Sequence, residues 1–274
     1  MELLKSYIHP LAIPLPPDRE NGWKPYPIFY GRTKELSNLS CHLSVLVQDC
    51  SPHPPHRHKH EEILILLDGE VDIILPDEET ANKERIKRLK PGQFVYYPAN
   101  FSHTLQTVSK NPAQYLMFKW HADFVKKNST LSFGHFHLSH FVEDSALKNG
   151  FGIYLIFEGS TAYLRKFQCH ISHLMPKSGY APHSDDYEVA ILVLEGEVET
   201  LGERVGPYGV IFYRAGEQHG MNNPGDKLAR YIVFEFHTYP ISHFFSFLAK
   251  IKDPKRWKAK FKQILSLFKK NLKR

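Results

Sequence analysis

Short runs of alternating apolar and polar residues fill the chain from about Leu39 to His121 and again from Gly152 to His237. Runs such as His42–Val47, Ile63–Leu75, Gln93–Tyr97 and Gln114–Trp120 lie between turn residues and predict β-strands. Residues 1 to about 35 are rich in proline and aromatic side chains and predict an extended arm or edge strand. After Tyr239 the period changes. Ser242 and Asp253-Pro254 read as helix starts, and Trp257, Phe261, Ile264, Leu265, Phe268 and Leu272 follow at helical spacing. Residues 241–274 therefore predict a helical tail with one apolar stripe.

The pattern repeats. Cys41-His42-Leu43-Ser44 answers to Cys169-His170-Ile171-Ser172, and Leu67-Asp68-Gly69-Glu70-Val71 to Leu194-Glu195-Gly196-Glu197-Val198. His103 answers to His219, and the segment from Tyr115 to His121 to that from Tyr231 to His237. The offset is 128 residues at Cys41, 127 from His56 to an inserted, charged segment (Asp77–Arg88, expected as an exposed loop) and 116 after it. Self-similarity over this much chain argues for a duplicated domain. The expected boundaries are 1–127, 128–240 and the tail 241–274.

Charge is distributed unevenly. Residues 252–274 hold ten Lys or Arg and one acid; the net charge of +6 for the whole chain therefore leaves −3 for the rest. The tail could lie on an anionic membrane surface or pack its stripe on a sheet, the latter being the commoner fate of a terminal helix. No specific nucleic-acid motif accompanies the charge. No apolar run is long enough to span a membrane, and the first ten residues lack the core of a signal peptide. Three cysteines without framework spacing favour a reducing cytoplasm, with a peripheral membrane position open through the tail.

Candidate chemistry is concentrated in Pro55-His56-Arg57-His58-Lys59-His60-Glu61-Glu62 and in His103. His56, His58 and Glu62 share parity, so a strand geometry turns them to one face. Three imidazoles and a carboxylate suit a divalent transition metal and leave coordination positions open. His60 shares the parity as a rival ligand and a candidate proton carrier. Tyr96 is a candidate catalytic residue orienting substrate, with Tyr97 beside it; the sequence leaves open which of the two faces inward.

This arrangement resembles the cupin family. His-x-His, three residues, Glu, six residues and Gly are matched by His56, His58, Glu62 and Gly69. The second motif is matched by Gly92, Pro98 and His103, with Asn100 where glycine is usual; Asn tolerates the positive φ that glycine supplies. Together with the repeat, the resemblance implies an all-β bicupin: two tandem jelly-roll barrels and a helical extension. It implies metal ligation by His56, His58, Glu62 and His103, with Fe(II) favoured over Mn, Ni or Zn. The implied activity is that of a non-haem Fe(II) dioxygenase acting on a small molecule. A metal-dependent isomerase, epimerase or lyase and a non-catalytic binder are the alternatives. In the second copy the four ligand positions map to His183, Asp185, Val189 and His219. His183, Asp185 and His219 are thus a weaker second site, and loss of the carboxylate favours a second barrel without metal. A duplicated cupin can satisfy barrel contacts within one chain, so a monomer or a homodimer is expected.

Overall fold

The computed structural model describes residues 1–11, 16–17, 20–76, 84–123, 129–139 and 147–239. Met1–Thr238 forms one compact unit and Tyr239–Arg274 a second. The expected helical tail lies outside the described residues. Among the described residues no helix is long and apolar enough to cross a membrane. The first half contributes β1 (Tyr7–His9), β2 (Trp23–Gly31), β3 (Asn38–Leu46), β4 (Glu61–Asp68), β5 (Val71–Pro76), β6 (Glu84–Leu89), β7 (Gln93–Tyr97), β8 (Thr104–Thr107) and β9 (Ala113–His121). The second contributes β10 (Gly134–His137), β11 (Phe151–Gly159), β12 (Leu164–Leu174), β13 (Gly179–His183), β14 (Glu188–Glu195), β15 (Val198–Thr200), β16 (Glu203–Val205), β17 (Val210–Tyr213), β18 (His219–Asn222) and β19 (Ala229–Thr238).

These strands form four sheets, two for each half. The large sheets run β10-β7-β4-β9-β3-β2 and β1-β17-β14-β19-β12-β11; the small ones run β6-β5-β8 and β13-β18-β15-β16. The run expected as one strand from Ile63 to Leu75 is two, broken at Gly69. Its φ of +75° is one that side chains rarely adopt, and a Cβ there would stand 2.7 Å from Ala113 Cα. The segment expected as a loop from Asp77 to Arg88 ends in strand. Residues 84–89 pair with β5 at the edge of the small sheet. The charged side chains of Arg85, Lys87 and Arg88 stand in solvent, which masked the strand period.

The central strands β4 and β14 are buried on both faces, which explains why they read as unbroken apolar runs. In β4, Leu64 and Leu66 face the small sheet of their own half, with Val71, Leu105 and Tyr115. Ile63 and Ile65 face the other way, into a core shared with Ala190, Leu192 and Phe234 of the second half. Rings interlock across this shared core: Trp120 lies 4.9 Å from Phe167, and Phe118 5.7 Å from Phe234. Cys41 and Cys169, at equivalent repeat positions, are buried in the same layer.

The halves also exchange edge strands. β1 pairs with β17 of the second half, and β10 pairs with β7 of the first. Tyr7 and Gly134 are 127 residues apart, so the exchange obeys the repeat. The expected arm therefore supplies two edge strands, β1 in the opposite half's sheet and β2, with Pro25 and Pro27, in the sheet of its own half. The His-x-His at His135 and His137 lies on such an edge strand, with His137 beside Gln93.

One polar contact fixes the second half against the strand that leads to the ligands. Glu61, buried at the start of β4, accepts hydrogen bonds from Trp120 Nε1 at 2.7 Å and from the Ala162 backbone at 2.8 Å. Tyr163 of the same turn donates to the Lys59 carbonyl at 2.6 Å. Burial pushes the Glu61 carboxyl up to about 7, against the pull of hydrogen bonds from Thr161, Ala162 and Trp120. Its folded-state value exceeds the ordinary 4.5, so its proton-linked stabilisation is complete below that value and is lost as pH rises through about 7. Denaturant melts at pH 5 and pH 7.5 are expected to show a loss of stability across this window that Glu61→Gln reduces. Equal pH slopes in the two proteins would contradict the assignment.

Candidate metal centre

Backbone pairing brings the ligand residues together before any side chain is considered. The His56 and His103 backbones exchange hydrogen bonds at 3.3 and 3.2 Å, and the Asn100 N–H donates to the His58 carbonyl at 2.7 Å. Asn100 has a φ of 61°, as expected for an asparagine in the glycine position. In the second half Gly216 occupies the equivalent place at φ 79° and donates to the Asp185 carbonyl at 2.7 Å. The repeat alignment is thus reproduced bond for bond.

The side chains converge. The imidazole centres of His56, His58 and His103 are 5.0, 5.3 and 5.5 Å apart. Glu62 reaches His58 Nε2 at 3.2 Å and His103 Nε2 at 3.0 Å. The tightest cluster is His58, Glu62 and His103, whose ligating atoms lie within 4.8 Å of one another; His56 stands just outside it. His103 Nδ1 lies 2.9 Å from the Phe101 carbonyl. A carbonyl can only accept, so Nδ1 carries the hydrogen and Nε2 is left to face the carboxylate with a lone pair. Tyr97 stacks on this ring at 4.1 Å and holds its plane.

This donor set fits a metal ion. Both oxygens of Glu62, both ring nitrogens of His58 and Nδ1 of His56 are buried without a hydrogen bond of proper geometry. Two acceptors facing each other at 3.0 Å call for a cation between them. Glu62 is fully buried, which alone would raise its pKa. The neighbouring His103, His58 and Lys119 outweigh this and hold it well below the usual carboxylate range. Burial, then His53, His58 and His103, push the His56 imidazole down to about 4, so it is neutral and able to ligate at neutral pH.

The centre forms one end of a cavity of about 420 Å³, whose walls include Trp23, His42, Tyr115, Met117 and Lys119. Lys119 was not singled out in the sequence. It lies opposite Glu62 in the pairing of β4 with β9, and its Nζ is 2.5 Å from Glu62 Oε1. A lysine in step with Tyr115 and Met117, inside an otherwise apolar strand, was the signal available for it. Two expected site residues lie elsewhere. Tyr96 faces the core shared by the two halves, stacked over Trp120, because alternation along β7 turns Tyr97 inward instead. His60 packs edge-on against His121 at 4.8 Å and does not line the cavity.

The second half preserves the frame and changes the chemistry. His183 and His219 lie 4.6 Å apart, with Asp185 Oδ2 at 3.7 and 3.4 Å from their Nε2 atoms. Tyr213 stacks on His219 at 4.0 Å, as Tyr97 does on His103. Val189 occupies the Glu62 position and lines a cavity of about 300 Å³, whereas Glu188 is absent from its lining, as its parity requires. Glu235 stands where Lys119 stands in the first half. It is held by His237 at 2.6 Å, with His170 and Lys166 at 3.7 Å.

Residues 45–119 match the Cupin domain family. No curated protein matches the chain. Among solved structures, AerE from Microcystis aeruginosa superposes with a TM-score of 0.54 at 15% identity, covering 77% of this chain and 97% of its own. The putative glyoxylate-induced protein from Pseudomonas aeruginosa gives 0.60 at 12% identity, covering 80% and 83%. A mutant of the Bacillus subtilis oxalate decarboxylase OxdC gives 0.52 at 12% identity, covering 75% and 70%. At such identities these likenesses concern the fold alone. The family match thus assigns residues 45–119 to a Cupin domain, and the solved structures share the fold of the larger part of the chain.

Proposed function

We propose that the chain is a bicupin of two tandem jelly-roll barrels, and that its first barrel is a metal-dependent enzyme acting on a small molecule. Non-haem Fe(II) dioxygenation is the reaction class assigned first. The observation that carries the reading is the convergence of His58, His103 and Glu62 beside His56, with ring nitrogens of His56 and His58 buried without a hydrogen bond. A divalent transition metal there would supply Lewis acidity and, as Fe(II), one-electron chemistry toward dioxygen. The residues do the rest. His56, His58, His103 and Glu62 hold the ion, with Fe(II) favoured and Mn, Ni or Zn compatible with the same donors. The Phe101 carbonyl and the Tyr97 ring fix the orientation of His103. Trp23, Pro25, Pro27 and Met117 give the cavity an apolar wall that limits access of water to the reacting centre.

A redox-neutral reading, isomerisation or lyase chemistry on an oxygenated substrate, is supported by Lys119. An ammonium group at the cavity surface stabilises an oxyanion as it develops. Both readings need the same ion. Three cysteines without framework spacing support a cytoplasmic setting.

Metal analysis of the purified protein is expected to find about one equivalent of transition metal per chain, and Glu62→Gln is expected to weaken binding by at least about tenfold. Oxygen uptake by the Fe(II)-loaded protein, screened with small acids, thiols, phenols and sugars, should disappear in His103→Ala. Bound metal with product formation but no oxygen uptake would favour the redox-neutral reading. Failure of the wild type to retain metal under excess divalent ion would end both.

A further inference from the structure

We infer that the first-half cavity selects anionic ligands, carboxylates above all, and that Lys119 is the residue that reads the charge. The inference rests on the metal-centre reading above and names the substrate class of that site.

The argument is one of charge balance. Among the described residues lining the cavity, Lys119 is the sole Lys or Arg and Glu62 the sole acid. Their 2.5 Å contact makes the empty enclosure neutral. Glu62 is fully buried while the Lys119 side chain is 29% exposed, so of the pair Lys119 is the one open to a ligand. A divalent ion held by the imidazoles and Glu62 takes over the carboxylate's charge and leaves Lys119 without a counter-ion. The cavity then carries an uncompensated positive charge beside an apolar wall, where such charge is costly. A ligand carboxylate offsets it, one end directed to Lys119 and the other to the ion. Ser40, His42 and Tyr115 line the same cavity and offer hydrogen-bonding groups to the remaining polar atoms of such a ligand.

The second half shows that this lysine is no requirement of the fold. At the equivalent positions it has Glu235 for Lys119 and Val189 for Glu62, and neither Lys nor Arg lines its cavity of about 300 Å³. The duplicated frame accommodates either sign at this position, so the cation of the first half is a feature of its own cavity.

The test uses the full chain loaded with Co(II), titrated with pyruvate and malonate and with the neutral amides pyruvamide and malonamide. Binding is followed by the visible absorption of Co(II) and by calorimetry. The wild type should prefer the acids by roughly tenfold or more, the scale of one charge-assisted hydrogen bond. Lys119→Met should cut the preference by roughly tenfold while retaining Co(II), the remainder being the ion's own preference for an anion, and Lys119→Arg should keep most of it. Lys119→Gln, closer in polarity, is titrated alongside so that a folding defect in the methionine variant does not decide the result. Metal-free wild type should show no preference, because Glu62 then neutralises Lys119. Acid preference that survives undiminished in the Lys119→Met and Lys119→Gln variants, or a Co(II)-loaded wild type that does not prefer the acids, overturns the inference and leaves the metal centre standing. Failure of the wild type to take up Co(II) overturns both.

Discussion

A carboxylate with no solvent contact organises the ligand-bearing end of this molecule. Glu62 lies at the start of a strand whose two faces are both covered, and removing a charge from water so completely costs on the order of several kcal/mol unless cations answer it. Lys119 from β9 supplies such a cation at 2.5 Å, and two further elements bring imidazoles to the carboxylate: His58 from the segment before β4 and His103 from the residue before β8. Each is held by backbone pairing formed elsewhere. The site is therefore a consequence of sheet register, and a slip of one residue in β4 would exchange Glu62 for a side chain facing the shared core.

Much of this was legible in the chain. The parity of His56, His58 and Glu62, the glycine at 69 and the asparagine at 100 were enough to place a ligand set on one inner face, and Asn100 takes the positive φ that its position demanded. The 127-residue offset identified the second half; the exchange of β1 and β10 between the sheets, which follows the same offset, was seen only in the structure. What was hidden depended on partners distant in sequence. Lys119 becomes a site residue only through the pairing of β9 with β4. Tyr96 and Tyr97 could not be told apart until β7 was aligned against Glu62; the Glu62↔Tyr97 pair settles which ring turns toward His103. The strand at 84–89 was masked by charge, because an edge strand of a small sheet has little surface to bury.

The two halves show how a duplicated frame diverges. The stacked tyrosine, the histidine hydrogen-bonded to a carbonyl two residues back and the left-handed residue before it recur in both. The groups that carry charge do not. Glu62 and Lys119 in one half become Val189 and Glu235 in the other, so the same geometry surrounds a cavity of different polarity. The frame is preserved by packing in the shared aromatic core, which involves both halves equally and leaves the inner faces free to change.

The central claim is that His56, His58, Glu62 and His103 meet around a metal ion. A crystal structure of the Co(II)-loaded chain, with anomalous scattering collected at the cobalt edge, tests it most directly. The account predicts a single strong peak bonded to Glu62 and to the three imidazoles, with Lys119 turned away from the carboxylate. The absence of a peak among these side chains, with Lys119 still paired to Glu62 under excess Co(II), would contradict it.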